Sequence, residues 1–160
     1  MSSKKISELR HDLGAAIQAQ QSAVDDFDAT VAVQLRVNRT DLRCLEILLG
    51  RDGATPRELA DELGLTSGSV TAMLDRLSKQ DYLTRAPDPN DRRKLVIRAT
   101  DTVRRLTRRI WEPLLTDANA MIDDYSADEL RLIIDFLTRN RDLQQRHTDR
   151  VRNLGQPTRD

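Results

Sequence analysis

The spacing of apolar residues divides this chain into a series of helices with one contrasting segment near its middle. Between residues 6 and 35, apolar side chains recur every three or four positions, which is the spacing of one face of a helix. This predicts one long helix, or two with a bend, and a second apolar run over residues 41–50 predicts a core helix. Helical spacing resumes after residue 100, so we expect a mainly α protein with a small β-hairpin.

The contrasting segment begins with two short helices joined by a tight turn. Thr55, Pro56 and Glu58 are typical of a helix start: the threonine caps, the proline takes the first position and the glutamate completes a capping box. Gly64 can adopt the left-handed conformation that ends such a helix. A second helix is predicted from a cap at Thr66 to about residue 80.

This second helix has an apolar face and an opposite face of small, hydroxyl-bearing and cationic side chains. The opposite face carries Ser67, Ser69, Thr71, Ala72 and Arg76. Small side chains let a helix enter the major groove of DNA, and hydroxyls near its N-terminus can contact phosphates or base edges. The two helices therefore favour a helix-turn-helix. A helical hairpin with merely solvated serines and threonines is the alternative that these residues leave open.

A predicted β-hairpin follows the second helix. Residues 82–85 and 95–98 are β-prone, and the turn formers between them end in three consecutive cations, Arg92, Arg93 and Lys94. Two prolines hold this tip extended, so that it can project its arginines. An arginine placed in this way can enter a minor groove, and the neighbouring Asp91 can orient its guanidinium. An ordinary charged hairpin is the less favoured alternative beside a helix-turn-helix.

These motifs resemble the MarR family of winged-helix transcription regulators. The similar features are the A-D-E-L-G-L turn, the L-D-R-L of the second helix, and the wing D-P-N-D-R-R-K followed by L-V-I-R-A-T-D, over about residues 53–105. The resemblance implies that Arg93 is the minor-groove arginine and Asp91 its orienter. It also implies that Arg76 faces DNA, where family members commonly carry a cation.

One position departs from the family pattern. Many members have an arginine after the threonine of the second helix, where this chain has Ala72. The departure weakens the expected base-edge contact and leaves the hydroxyls of the helix to read the groove. We expect Arg76, Arg85 and Lys94 to hold phosphates. The full predicted DNA-binding set is Ser67, Ser69, Thr71, Arg76, Arg85, Asp91, Arg92, Arg93 and Lys94.

The charge distribution agrees with this assignment. The whole chain has 26 basic and 26 acidic residues, so its net charge of zero argues neither for nor against nucleic acid. Residues 66–110, however, contain eleven basic residues and five acidic ones. The segment with the predicted DNA contacts is therefore cationic, and the remainder of the chain balances it.

The helices outside this segment predict a dimer. Their apolar stripes are longer than one small domain needs, and a symmetric homodimer would bury them. We expect a winged helix-turn-helix flanked by long dimerisation helices: residues 1–37 and 101–145 as the dimerisation layer, 38–100 as the DNA-binding domain and 146–160 as a flexible tail. Pro113 is expected to kink or split its helix. Two half-sites would then form a near-palindromic operator in double-stranded DNA.

Other function classes find little support. His11 and His147 are far apart, and hydrolase, metal-site and phosphate-loop motifs are missing, so we expect no enzyme, cofactor or metal. Cys44 is the single cysteine and is expected in the core, so no internal disulfide can form. We expect Trp111 to anchor the core, with lining a pocket as the second option. With no signal-like start and no long apolar run, we expect a cytoplasmic protein without a membrane partner.

The predicted function is therefore regulation of transcription. The resemblance implies a repressor, and release by a small-molecule effector is an option that the sequence leaves open beside ligand-independent regulation. The alternative from another class is a winged-helix dimer that acts as a protein-interaction module with little specific DNA affinity. Ala72 supports that alternative, and the Asp91–Arg93 tip argues against it.

Overall fold

A computed structural model of the chain describes residues 3–88, 91 and 94–154. Within these residues, six helices and two strands account for the regular structure. In chain order they are α1 (Ser3–Gln34), α2 (Arg39–Leu49), α3 (Pro56–Leu63), α4 (Ser67–Lys79), β1 (Leu83–Pro87), β2 (Leu95–Ala99), α5 (Asp101–Ile122) and α6 (Ala127–Arg152). The predicted mainly α fold with a β-hairpin is confirmed, and the first apolar stretch forms one continuous helix.

The helix starts that the sequence predicts are present. Thr55 accepts from the Glu58 N–H while the Glu58 carboxylate accepts from the Thr55 N–H, which is the predicted capping box. Hydrogen bonds from Thr55 hold the pKa of Glu58 below its ordinary value. Gly64 ends α3 with a left-handed φ of 64°, and Ser126 forms a second capping box with Glu129. These local signals fix where α3 and α6 begin and where α3 ends.

The chain forms two compact units, residues 1–111 and 112–160. The core of the first unit draws on the C-terminal end of α1, on α2, α3, α4 and the hairpin, and on the start of α5. Its buried members include Leu35, Leu45, Leu59, Leu77, Ile97 and Val103. Leu35 and Val103 belong to this core although they lie outside residues 38–100, the limits predicted for the DNA-binding domain.

The hairpin is antiparallel and is anchored to the rest of the first unit. Its register pairs Leu83 with Ala99 and Pro87 with Leu95, so the first strand lies slightly later than predicted. Ala54 exchanges two backbone hydrogen bonds with Ile97, at 3.0 and 2.8 Å, on the other side of β2. Residues 83–99 are called the wing, and its second strand is thus held to the segment that precedes α3.

Two helices differ from expectation in length. Pro113 lies inside α5 without splitting it, because a proline removes one backbone hydrogen bond and the helix on both sides retains the others. Helix α6 continues to Arg152 and so takes in the first part of residues 146–160, where polar composition predicts a flexible tail. Polar contacts one turn apart, such as Arg152 to Asp149 and Gln145 to Asp149, support this stretch without a buried apolar side chain. In the described part of the chain, every helix is too short or too polar to cross a bilayer.

Candidate nucleic-acid interface

Helix α4 has one face in the core and one face toward solvent. Val70, Met73, Leu74 and Leu77 are buried, whereas the side that carries the predicted DNA contacts is exposed. The turn after α3 fixes the angle between α3 and α4, because only a few residues, from Gly64 to the cap at Thr66, lie between the two helices. The exposed face of α4 therefore stands as a defined surface that a groove of DNA could meet.

The hydroxyl groups predicted to read bases lie together in the first turns of α4. Thr66 caps the helix by accepting from the Ser69 N–H at 3.3 Å, and the Thr66 and Ser69 hydroxyl oxygens are 3.0 Å apart. The Thr71 hydroxyl donates to the Ser67 carbonyl at 3.0 Å. A hydroxyl has one donor and two acceptor positions, so Thr71 can still accept a hydrogen bond in this arrangement.

Arg76 lies on the exposed face of α4 and is paired within the protein. Its Nε lies 3.2 Å from Oδ2 of Asp41, and its Nη2 lies 2.7 Å from Oδ1 of the same carboxylate. The Asp41 side chain is 4% exposed, whereas the Arg76 side chain is 49% exposed. Sequence reasoning missed Asp41, although its place in the first turn of α2, after the cap at Asn38, marks it as a helix-start carboxylate.

Arg85 is also paired, in this case with the helix that precedes the hairpin. Its Nη2 donates to Oδ1 of Asp75, so β1 is connected to α4 by an ion pair. Both side chains retain substantial exposure. Arg76 and Arg85, two of the cations expected to hold phosphates, thus each have a carboxylate partner, and any phosphate contact must share the guanidinium with it.

The described part of the wing tip is organised by backbone hydrogen bonds. The Lys94 N–H donates to the Asp91 carbonyl and the Asp88 N–H donates to the Lys94 carbonyl, both at 2.8 Å. The Asp91 N–H donates to the Asp88 carboxylate at 3.2 Å. Lys94 is exposed beside this turn. Arg92 and Arg93 lie outside the described residues, so the role of Asp91 as an orienter of Arg93 stays a prediction.

A cavity of about 370 Å³ lies between α2 and α5 in the first compact unit. Trp111 lines it, and its ring also meets Phe27 edge to face. Two arginines one helical turn apart, Arg104 and Arg108, face the cavity together with Glu46. The full lining is Leu42, Glu46, Leu49, Arg104, Thr107, Arg108 and Trp111. The cavity lining thus combines apolar side chains with charged groups from both helices.

The single cysteine of the chain is placed where it is unreactive. Cys44 is fully buried in the core, as predicted, and burial raises the pKa of its thiol to about 12. A thiol with so high a pKa is a poor nucleophile, because the thiolate is the reactive form.

Among the described residues, no cluster of three or more His, Cys, Asp or Glu side chains could hold a metal ion.

A helix-turn-helix with a β-hairpin wing beside its second helix defines a winged-helix DNA-binding protein. Residues 37–95 match the model of the MarR family. The chain is 33% identical over 126 residues to an uncharacterized HTH-type transcriptional regulator, YcgE of Bacillus subtilis, and this match covers 79% of the chain and 82% of that protein. The chain belongs to the MarR family, whose members are DNA-binding transcription regulators.

Solved structures show the same fold. Wild-type MarR of E. coli, in its apo form, superposes with a TM-score of 0.55 at 23% identity, over 79% of this chain and 94% of that one. A MepR variant from S. aureus, solved bound to an oligodeoxyribonucleotide, superposes with a TM-score of 0.56 at 18% identity, over 82% and 97% of the two chains. At these identities the similarity concerns the fold.

Proposed function

We propose that this protein binds a near-palindromic operator in double-stranded DNA as a homodimer and represses transcription there. One observation carries the proposal: α4 exposes a face of small, hydroxyl-bearing and cationic side chains while its opposite face is buried in the core. A helix held in this way can enter a major groove without unfolding any part of the protein.

The exposed residues divide into two roles on the DNA. Ser67, Ser69 and Thr71 contact base edges in the major groove, because their short side chains let the α4 backbone approach the bases. Arg76, Arg85 and Lys94 contact phosphates, which fixes the register of the protein on the duplex. Arg93, oriented by Asp91, enters the flanking minor groove with Arg92 beside it.

The exposed apolar side chains support the homodimer. In the second compact unit, α6 carries Leu132, Ile134 and Leu137, each more than half exposed. In the first unit, α1 exposes Ile6, Leu9 and Leu13 at helical spacing. Large exposed apolar surface is costly in water, and a second copy of the chain would bury it. Two copies of α4 related by a two-fold axis would then read two half-sites.

The cavity between α2 and α5 supports control by a small molecule. Its volume of about 370 Å³ falls within the range of small-molecule sites. Helix α2 also carries Asp41, the partner of Arg76, so a ligand that displaces α2 would disturb the DNA-facing surface. A binding event that moves α2 would in this way lower the affinity for the operator.

Selection of binding sites from random duplex DNA, followed by affinity measurements over a range of salt concentrations, tests this proposal. We expect an enriched near-palindrome whose binding weakens steeply with salt, because phosphate contacts release counterions. Thr71→Ala should relax the preference of the protein for one base at one position of the operator. Lys79→Ala, which removes a cation near the end of α4, is the control and should leave that base preference unchanged. Weak binding that is indifferent to sequence would favour the protein-interaction module instead.

A further inference from the structure

A buried carboxylate lies behind the DNA-facing surface of α4. Asp41 is almost fully buried in the first turn of α2, yet the group it binds, Arg76, is on the exposed side of α4. The two residues are 35 positions apart, so their hydrogen bonds join two helices that are distant in the chain. We propose that Asp41 is a positioning residue for DNA binding, which holds the Arg76 guanidinium with one edge directed outward to a phosphate. This inference rests on the proposed function.

The geometry leaves room for a phosphate on Arg76. The guanidinium uses its Nε and Nη2 on the carboxylate, at 3.2 and 2.7 Å. A guanidinium is planar and has five N–H donors, of which such a pair occupies two. The edge that includes Nη1 therefore points away from Asp41, and about half of the side chain is exposed. A phosphate can bind this edge while the pair with Asp41 stays intact.

Asp41 is itself held in place. Its backbone N–H donates to Oδ1 of Asn38 at 2.8 Å, which caps α2, and its negative charge lies at the favourable end of that helix. The neighbouring Leu42 and Leu45 are buried in the core. Since the carboxylate cannot move far, the arginine bound to it loses its rotamer freedom before DNA arrives. Binding then avoids that loss of entropy, which a mobile arginine would suffer on the DNA.

Substitution of Asp41 distinguishes a positioning role from a simple charge effect, because the two predict opposite changes in DNA affinity. Asp41→Asn removes a negative charge from the DNA-binding unit, so electrostatics by itself predicts tighter binding. Loss of positioning predicts weaker binding. Asp61→Asn is the matched control, because it removes the same charge from an exposed position on α3 that lies outside the predicted DNA-binding set.

The experiment measures the dissociation constant of the full-length protein for its selected duplex at several salt concentrations. We expect Asp41→Asn and Arg76→Ala each to weaken binding about tenfold, and Arg76→Ala to reduce the salt slope by about one phosphate. The double variant should bind no more weakly than Arg76→Ala. Asp61→Asn should bind as tightly as the wild type or more tightly.

Two results would overturn the inference. In the first, the Asp41→Asn variant binds DNA at least as tightly as the wild type. In the second, Asp41→Asn weakens binding by the same factor in the wild type and in the Arg76→Ala variant. Circular dichroism establishes that each variant is folded at the assay temperature. Should Asp41→Asn fail to fold, Arg76→Lys decides, because lysine keeps the charge and cannot make the paired contact. Wild-type affinity in Arg76→Lys contradicts positioning, and a loss close to that of Arg76→Ala supports it. Absence of specific binding by the wild type would refute the proposed function itself.

Discussion

Phe27 and Trp111 meet edge to face, with ring centroids 6.0 Å apart and ring planes at 82°. The contact joins α1 to α5 inside the first compact unit, and Trp111 also lines the cavity beside α2. Both rings are partly buried against the core. The same pair therefore stabilises the unit and forms part of the wall of its cavity.

We expect a double-mutant cycle on this pair to show a coupling of about 0.5–1.5 kcal/mol, the range for aromatic pairs beyond their buried area. The four proteins are the wild type, Phe27→Leu, Trp111→Leu and the double variant. Urea unfolding at one fixed protomer concentration gives the free energies, since dimerisation makes stability depend on concentration. Additive losses in the two single variants would show that the rings do not interact favourably.

Gly53 is expected to resist replacement. Its φ of 143° is a conformation that side-chain-bearing residues rarely adopt, and an added Cβ would lie 2.7 Å from Cγ1 of Val96. Gly53→Ala should lower the free energy of unfolding by about 1–3 kcal/mol, because strain and overlap act together. The measurement is thermal or urea unfolding.

Gly14 provides the matched control for that substitution. It lies within α1, and an added Cβ there meets nothing within 4 Å. Gly14→Ala should raise the free energy of unfolding by about 0.5–1 kcal/mol, because alanine favours the helix. Equal effects of the two substitutions would contradict the strain argument at Gly53.

Cys44 is expected to be unreactive in the folded protein. Burial raises the pKa of its thiol to about 12, so at pH 8 the thiolate is scarce and the sulfur is inaccessible. Labelling with a chromogenic disulfide reagent should therefore proceed at the rate of unfolding, and urea should restore rapid labelling. Fast labelling of the native protein, together with loss of DNA binding on oxidation, would instead mark a redox-sensitive site.

The sequence predicted well those features that depend on neighbouring residues. The capping box at Thr55 and Glu58 and the glycine end at Gly64 involve groups at most a few positions apart, so their spacing reveals them. The full length of α6 escaped prediction because its last turns are supported by charged pairs and have no apolar stripe. A polar composition of this kind predicts a flexible tail.

The candidate site was predictable only in outline. The exposed face of α4 follows from helical spacing, and the structure places Ser67, Ser69 and Thr71 together there. The ion pair between Asp41 and Arg76 could not be foreseen, because it joins residues 35 positions apart and depends on how α2 packs near α4. An aspartate in the first turn of a helix is already explained by its favourable interaction with the helix dipole. Its place in the sequence therefore gives no sign of the ion pair with Arg76.

The wing is expected to contribute directly to operator binding. Arg93→Ala should weaken binding to the selected operator by about 1–3 kcal/mol, because a minor-groove arginine contributes both charge and shape recognition. Lys94→Ala, a neighbouring cation expected on a phosphate, should weaken binding to all sequences alike and reduce the salt slope by about one. Asp91→Asn should weaken binding in the wild type and have no further effect when Arg93 is alanine, since its role is to orient that guanidinium. Unchanged affinity in Arg93→Ala would remove the minor-groove contact from the mechanism and leave base recognition to α4.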